Sequence, residues 1–487
     1  MRYFLFLLLT AMLVACTAEV SQETPSPVAI MIETLPPAGD TPTATATLPP
    51  TDSPTETATL PPTDNPTETA TLLPTLTPTP LPAPAGRILF FWDPKLPHEM
   101  GPYNPEPNLY LVTPDGDVTH WNIQILLGSL YGHINNALSP DQTKIALQVL
   151  DDKNGDGYIS SEGAKRGLDA PNLFVYDLTN GNYQQLTTDF PAIGTPQWLL
   201  DNQTVLYRKD KSLWTVNIAT QVTTELVGPF PEEVSNFVWD PSGRLLAIDL
   251  QPYSSQLYIF DDQTKELVVV SGSEAGYPSN LGWSPDSQWL FSTLSFDVGL
   301  SVVNLPSLEI QQLLSDEVYA QFSWSSDSQW TALVQNSRSD LGRPINGSLF
   351  IGDTESRLPR LVFQSTYISE AIWSDENTVF TAGSLLEQEG SLSGGSLLLV
   401  DPSTNTVNIL WQQEVDEPME YGAVKPVMWS PDGRWLLFYS QVYGTRYTNS
   451  GLETSSGLYL IDKDGGPVYQ ILDTSNTRIP YGFAWLP

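Results

Sequence analysis

The sequence predicts an all-β chain built as a single β-propeller. Three observations predict it: a recurring strand–turn–strand unit marked by tryptophan, a second strand pair after each copy, and two chain ends that complete one another. The unit reads FVWDPSGRLLAI from Phe237, LGWSPDSQWLFS from Leu281, FSWSSDSQWTAL from Phe322 and VMWSPDGRWLLF from Val427. Weaker copies are PQWLLDNQTVLY from Pro196, AIWSDENTVFTA from Ala371 and NALSPDQTKIAL from Asn136. Leu138, Trp198, Trp239, Trp283, Trp324, Trp373, Trp429 and Trp485 share one register, 41 to 60 residues apart, and so account for seven of the 14 tryptophans.

A third and a fourth strand follow each unit, as in Asn172–Thr187, Gln256–Ser271 and Ser396–Trp411. One four-stranded sheet cannot bury both of its faces, whereas a ring of such sheets packs face to face. A large aromatic at a fixed register then fills each gap between sheets. The Pro-Asp-Gly-type segments close the first hairpin of each blade, and Asp286, Asp327 and Asp432 are assigned to those turns.

The two ends specify the closure. Gly86-Arg87-Ile88-Leu89-Phe90-Phe91 matches Gly433-Arg434-Trp435-Leu436-Leu437-Phe438, the second strand of a blade, while the chain stops at Phe483-Ala484-Trp485-Leu486-Pro487, a first strand. The C-terminal strand is therefore expected to be the innermost strand of blade one, its other three coming from the N-terminal side. Counted this way there are eight four-stranded blades. Seven is the alternative if the divergent unit around Leu138 or Ala371 is not a blade.

The W-S-P-D-G copies resemble the TolB-like and WD40-like (PD40) propeller repeats of bacterial envelope proteins. The resemblance covers about 400 residues and implies the fold rather than a function. TolB carries an α/β domain ahead of a six-bladed propeller, and this chain has a Pro/Thr-rich segment in that place, so a TolB role is not carried over. Prolyl-oligopeptidase-type enzymes bear related propellers beside a hydrolase domain, but no G-x-S-x-G elbow occurs here.

Residues 1–15, MRYFLFLLLTAMLVA, read as a signal peptide: one cation at Arg2, then an apolar run ending in small residues. Leu13-Val14-Ala15-Cys16 resembles the lipobox of bacterial lipoproteins, which implies lipidation of Cys16, the only cysteine. Residues 16–86 then form a disordered linker holding 16 prolines and 18 threonines and three copies of a twelve-residue repeat, from Ala46, Ala58 and Ala70. Such a composition buries too little apolar surface to offset its ordering entropy, and proline biases it toward extended polyproline II. The expectation is a lipid-anchored, extracytoplasmic domain, residues 87–487, held off the membrane by a stalk. Whether the inner or the outer membrane receives it is left open.

Of 487 residues, 56 are acidic and 21 basic, giving a formal charge of −35, and residues 87–487 keep 48 acidic against 20 basic side chains. That balance argues against nucleic acid and against a bare anionic lipid surface, both of which need Lys/Arg patches. One cysteine allows neither an intramolecular disulfide nor a Cys-based zinc site.

The best local chemical motif is Asp152-Lys153-Asn154-Gly155-Asp156-Gly157-Tyr158, with Glu162 closing it. It follows the D-x-[DN]-x-[DN]-G opening of a calcium loop, with Asp152, Asn154, Asp156, the Tyr158 carbonyl and Glu162 as ligands. Glu162 falls one position early, and an Asp/Gly-rich surface turn is the competing reading. A bound calcium would be structural. His98, His120 and His133 lack ligand spacing and are assigned to loops or strand edges.

Connections after strands two and four leave one face of a propeller and those after strands one and three the other. Nearly all length variation falls on the former, in Asp93–Pro107, Gln124–Ile134, Asp151–Pro171, Gln335–Gly347, Gly383–Gly395, Gln413–Pro426 and Gln441–Gly457, which are expected to be loops. They carry Tyr and Arg suited to recognition, with Tyr443, Arg446 and Tyr447 the candidate partner-binding residues. The expected function is non-enzymatic binding of a protein or glycan by a monomer. The alternative is a propeller-type polysaccharide hydrolase or lyase acting at the central funnel.

Overall fold

The computed structural model describes residues 84–487 apart from 93–107, 122–133, 153–168, 189–193, 252–255, 271–280, 294–299, 315–318, 339–343, 354–358, 375–379, 389–390, 414–420, 449–450, 476 and 478. Its strands form eight antiparallel sheets in chain order, seven with four strands and one with three. Sheet one joins β1 (Arg87–Trp92), β2 (Asn108–Val112) and β3 (Val118–Trp121) to the C-terminal β31 (Tyr481–Leu486). Sheet two, the three-stranded one, holds β4 (Lys144–Asp152), β5 (Asp169–Asp177) and β6 (Tyr183–Gln185), preceded by the one-turn helix α1 (Ile134–Ala137). Sheet three is β7 (Gln197–Trp198), β8 (Thr204–Lys209), β9 (Ser212–Asn217) and β10 (Thr223–Val227). Sheet four is β11 (Glu233–Trp239), β12 (Leu245–Gln251), β13 (Gln256–Asp261) and β14 (Glu266–Val269).

Sheet five comprises β15 (Leu281–Trp283), β16 (Trp289–Thr293), β17 (Leu300–Asn304) and β18 (Glu309–Leu314). Sheet six comprises β19 (Tyr319–Trp324), β20 (Trp330–Arg338), β21 (Pro344–Asp353) and β22 (Arg360–Ser365). Sheet seven has β23 (Tyr367–Trp373), β24 (Phe380–Gln388), β25 (Ser391–Asp401) and β26 (Thr406–Gln412). Sheet eight has β27 (Tyr421–Trp429), β28 (Trp435–Thr448), β29 (Gly451–Asp462) and β30 (Tyr469–Asp473). The alternative count holds: seven sheets are complete four-stranded blades, and the unit at the divergent Leu138 has three strands and keeps only the Leu138–Ile145 bridge where an innermost strand would run.

The ring is held by apolar clusters between consecutive sheets. Leu89 and Phe91 of sheet one pack with Ile145 and Leu147 of sheet two, while Ile88 and Phe90, on the other face, pack with Trp435 and Leu437 of sheet eight. The period-2 alternation of β1 thus feeds two interfaces at once. Phe90 and Phe91 are fully buried, and each such side chain contributes roughly 1.5–3 kcal/mol. Phe291 and Phe322 join sheets five and six with centroids 4.7 Å apart. Pairing of β1 with β31, Arg87 opposite Leu486 and Ile88 opposite Trp485, closes the circle as the matched ends require.

The first hairpins follow the expected turn chemistry. Ser284 Oγ accepts from the Trp289 amide at 2.9 Å and donates to Asp286, whose carboxylate takes the Gln288 amide at 3.0 Å. Ser325 and Ser430 repeat the arrangement with the amides of Trp330 and Trp435. The residue after the aspartate is left-handed, with φ of 60° at Ser287, 61° at Ser328 and 65° at Gly433. The S-P-D-G aspartates are therefore turn residues.

Three of the expected loops are different in the structure. Strands β20 and β21 pair out to Arg338–Pro344, β24 and β25 to Gln388–Ser391, and β28 and β29 to Thr448–Gly451. Gln335–Gly347, Gly383–Gly395 and Gln441–Gly457 are thus largely hairpin extensions rather than loops. Glycine and serine suggest irregular chain, but two strands already in register propagate their ladder wherever Tyr, Val and Thr recur alongside.

Candidate functional site

The innermost strands converge on a central cavity of about 690 Å³, within the size range of small-molecule sites. It is lined by first strands and first turns of six sheets, so it opens at the face of the short turns, away from the long hairpins. Its wall includes the register residues Leu138, Trp198, Trp239, Trp373, Trp429 and Trp485. Six of the 17 described lining residues come from the single segment 135–142. None of the 17 is Asp, Glu, His, Lys or Arg.

The tryptophan register has a structural duty that sets the wall. Trp198 donates its indole N–H to the Ala137 carbonyl at 2.8 Å, Trp283 to Val238 at 3.0 Å and Trp373 to Ser323 at 3.2 Å. Each acceptor stands directly before the register residue of the preceding sheet. Trp485 instead donates to Ala85, at the start of its own sheet, at 3.0 Å. The buried indole N–H groups of Trp239, Trp324 and Trp429 have no acceptor among the described residues. Gln197 and Ser323 add reciprocal ties, donating to the carbonyls of Phe237 and Ala371 in the following sheets.

Charge appears elsewhere on the inner two strands of the sheets. Lys425 and Glu370, on neighbouring strands β27 and β23, form an ion pair of 2.8 Å. At the end of β8, Arg208 donates to the Val234 and Ser235 carbonyls of sheet four. Burial pushes its guanidinium below the usual arginine value, and nearby Glu233 opposes the shift. Gln148 makes the equivalent reach from sheet two, accepting from the Gly194 amide at 2.9 Å. These contacts join sheets; they do not assemble an acid–base pair.

Of the site residues expected from sequence, Tyr443, Arg446 and Tyr447 fall within β28, where Tyr443 pairs with Thr454 and Tyr447 with Leu452 across a register shift. They therefore share one hairpin. Asp152 ends β4 opposite Asp169 of β5, while Asn154, Asp156, Tyr158 and Glu162 lie outside the described residues. Cys16, His98 and His133 lie outside them too. His120 is on β3, stacked on Tyr110 with centroids 5.6 Å apart, a strand-edge position. Among the described residues no group of three or more His, Cys, Asp or Glu could hold a metal ion, and no helix is long and apolar enough to cross a membrane. The polar residues at the cavity mouth, Asn135, Asn136 and Gln142, were not singled out by the sequence. The available signal was the missing tryptophan at Leu138.

Comparison with known proteins bears on the fold. No family model and no curated protein sequence matches the chain. Among solved structures it is similar to the dihydro-heme d1 dehydrogenase NirN in complex with DHE, at 14% identity and a TM-score of 0.50, covering 82% of this chain and 74% of that one. It is also similar to an oligogalacturonate lyase in complex with manganese (13% identity, TM-score 0.43, 73% of this chain and 94% of that one). A third is TolB from Acinetobacter baumannii, at 15% identity and a TM-score of 0.31, covering 71% and 83%. At 14% identity the likeness to NirN concerns fold alone. By its sheet order and its closure, the chain is a β-propeller protein.

Proposed function

We propose that this chain is a non-enzymatic, lipid-anchored extracytoplasmic propeller that binds a protein or polysaccharide of the envelope or exterior through the face of its long hairpins. The observation that carries the reading is the clustering of extension at one edge. The second-to-third-strand hairpins β4/β5, β20/β21, β24/β25 and β28/β29 are long and leave the ring on the same side, whereas β8/β9 ends at once with Lys209 opposite Ser212. Elaboration on one face of a rigid scaffold is where binding surfaces are built. Tyr443, Arg446 and Tyr447 fall in the β28/β29 extension, and tyrosine and arginine are residue types that recognition surfaces favour.

Two measurements test this. Replacing Tyr443, Arg446 and Tyr447 by Ala weakens capture of partners from the native envelope at least tenfold while the circular dichroism spectrum is unchanged; equal capture overturns the binding face. Metabolic labelling with palmitate marks the wild-type chain and not Cys16→Ser, and equal labelling overturns the anchor. Turnover of a polysaccharide by the purified chain would replace this reading with the lyase or hydrolase alternative. The calcium loop belongs to the same proposal as a structural element, supported by its residue order and by β4 and β5 holding its two ends opposite each other.

A further inference from the structure

The central cavity owes its shape to the one sheet that departs from the pattern. Seven sheets have an innermost strand ending in a register tryptophan or its turn, as β7 does at Trp198 and β27 at Trp429. In sheet two that strand is replaced by α1, and the register residue is Leu138, joined to β4 by a single bridge. An indole and a strand are thus missing from one sector of the wall, and the segment filling it supplies six of the 17 residues facing the space. The gap is rimmed by amides. The side chains of Asn135, Asn136 and Gln142 make no hydrogen bond with any described residue, and Asn135 and Gln142 are exposed.

The lining fixes the class of ligand. Indole and aliphatic side chains offer apolar surface, and the three amides offer donors and acceptors together. Among the described lining residues there is no carboxylate to hold a cation and no Lys or Arg to hold an anion. An anionic ligand would also approach a domain with 48 acidic against 20 basic residues, whose field repels it. An uncharged molecule dense in hydroxyl groups, with apolar C–H faces, satisfies both halves of the wall. We propose that the sector vacated by sheet two is a binding site for a neutral saccharide, on the face opposite the long hairpins and distinct from the partner surface proposed above.

The test titrates the full chain with cellohexaose, maltohexaose and chitohexaose, and with oligogalacturonate as the anionic arm, by calorimetry and tryptophan fluorescence. At least one neutral oligosaccharide binds, and oligogalacturonate does not. Leu138→Trp restores the register indole, fills the vacated sector and weakens binding at least tenfold. The double change Asn135→Ala and Asn136→Ala, made in case Leu138→Trp fails to fold, weakens it about three- to tenfold. Saccharide binding that is lost with the alanine changes at Tyr443, Arg446 and Tyr447 but kept in Leu138→Trp belongs to the hairpin face and overturns this site. Failure of all three neutral oligosaccharides to bind overturns the proposal, as does preference for oligogalacturonate or wild-type affinity in the folded Leu138→Trp or double-alanine chain.

Discussion

Trp198 gives its indole N–H to the carbonyl oxygen of Ala137 at 2.8 Å, tying sheet three to the helix that stands in for the innermost strand of sheet two. Trp198 is 6% exposed, so water cannot replace the bond. Trp198→Phe leaves a buried carbonyl without its donor, a loss of about 1–3 kcal/mol. Trp239→Phe removes an indole N–H that has no acceptor among the described residues and is expected to cost less. Urea midpoints of the two variants measured together check the ordering.

Closure of the ring predicts a sensitive glycine. Gly86 has φ of +98°, and a Cβ there would run into the Leu486 carbonyl and the Trp485 indole. Gly86→Ala therefore combines left-handed strain with a backbone clash and destabilises by at least about 1–3 kcal/mol. The expected readout is a lowered melting temperature with faster proteolysis of the C-terminal strand β31; an unchanged melting temperature contradicts this account of closure.

Acid lowers stability through specific carboxylates. Hydrogen bonds from the Arg244 guanidinium hold Asp261 down at about 2. Hydroxyl donors likewise lower Asp141, Asp177, Asp401 and Asp473, from Ser139, Thr179, Ser403 and Ser475. A carboxylate whose folded value lies below its unfolded one, about 3.9, contributes stability that is complete above the unfolded value and lost as pH falls through the folded one. The urea midpoint is expected to drop between about pH 4 and pH 2. Asp261→Asn flattens that drop, modestly because Arg244 is half exposed to screening solvent.

Calcium removal tests the Asp152 motif. With the ion bound, EGTA accelerates proteolytic cleavage near Ser160, and added calcium restores protection. Identical cleavage rates in both conditions mean that the acidic run is an ordinary turn.

Much of the architecture was legible before any coordinates. A tryptophan at one register, followed by Ser-Pro-Asp-Gly chemistry, specifies strand, turn and strand with interactions that are local in sequence, and Ser284, Asp286 and Trp289 complete theirs within six residues. The match of Gly86–Phe91 to Gly433–Phe438 exposed the pairing of β1 with β31 because each end is half of the same repeat. The hairpin extensions were not legible. Whether Gln441–Gly457 continues a ladder depends on a partner strand being in register, which composition does not encode.

The repeat, the turn chemistry, the closure and the concentration of negative charge in the domain are all readable from the chain, since each is written in residues near one another or in matching segments. The meaning of the departure at Leu138 emerges from the folded ring. In the chain it is one substitution in a degraded repeat. In the ring it removes an indole and a strand from a wall shared by six sheets, and that wall exists only when segments hundreds of residues apart converge on one axis.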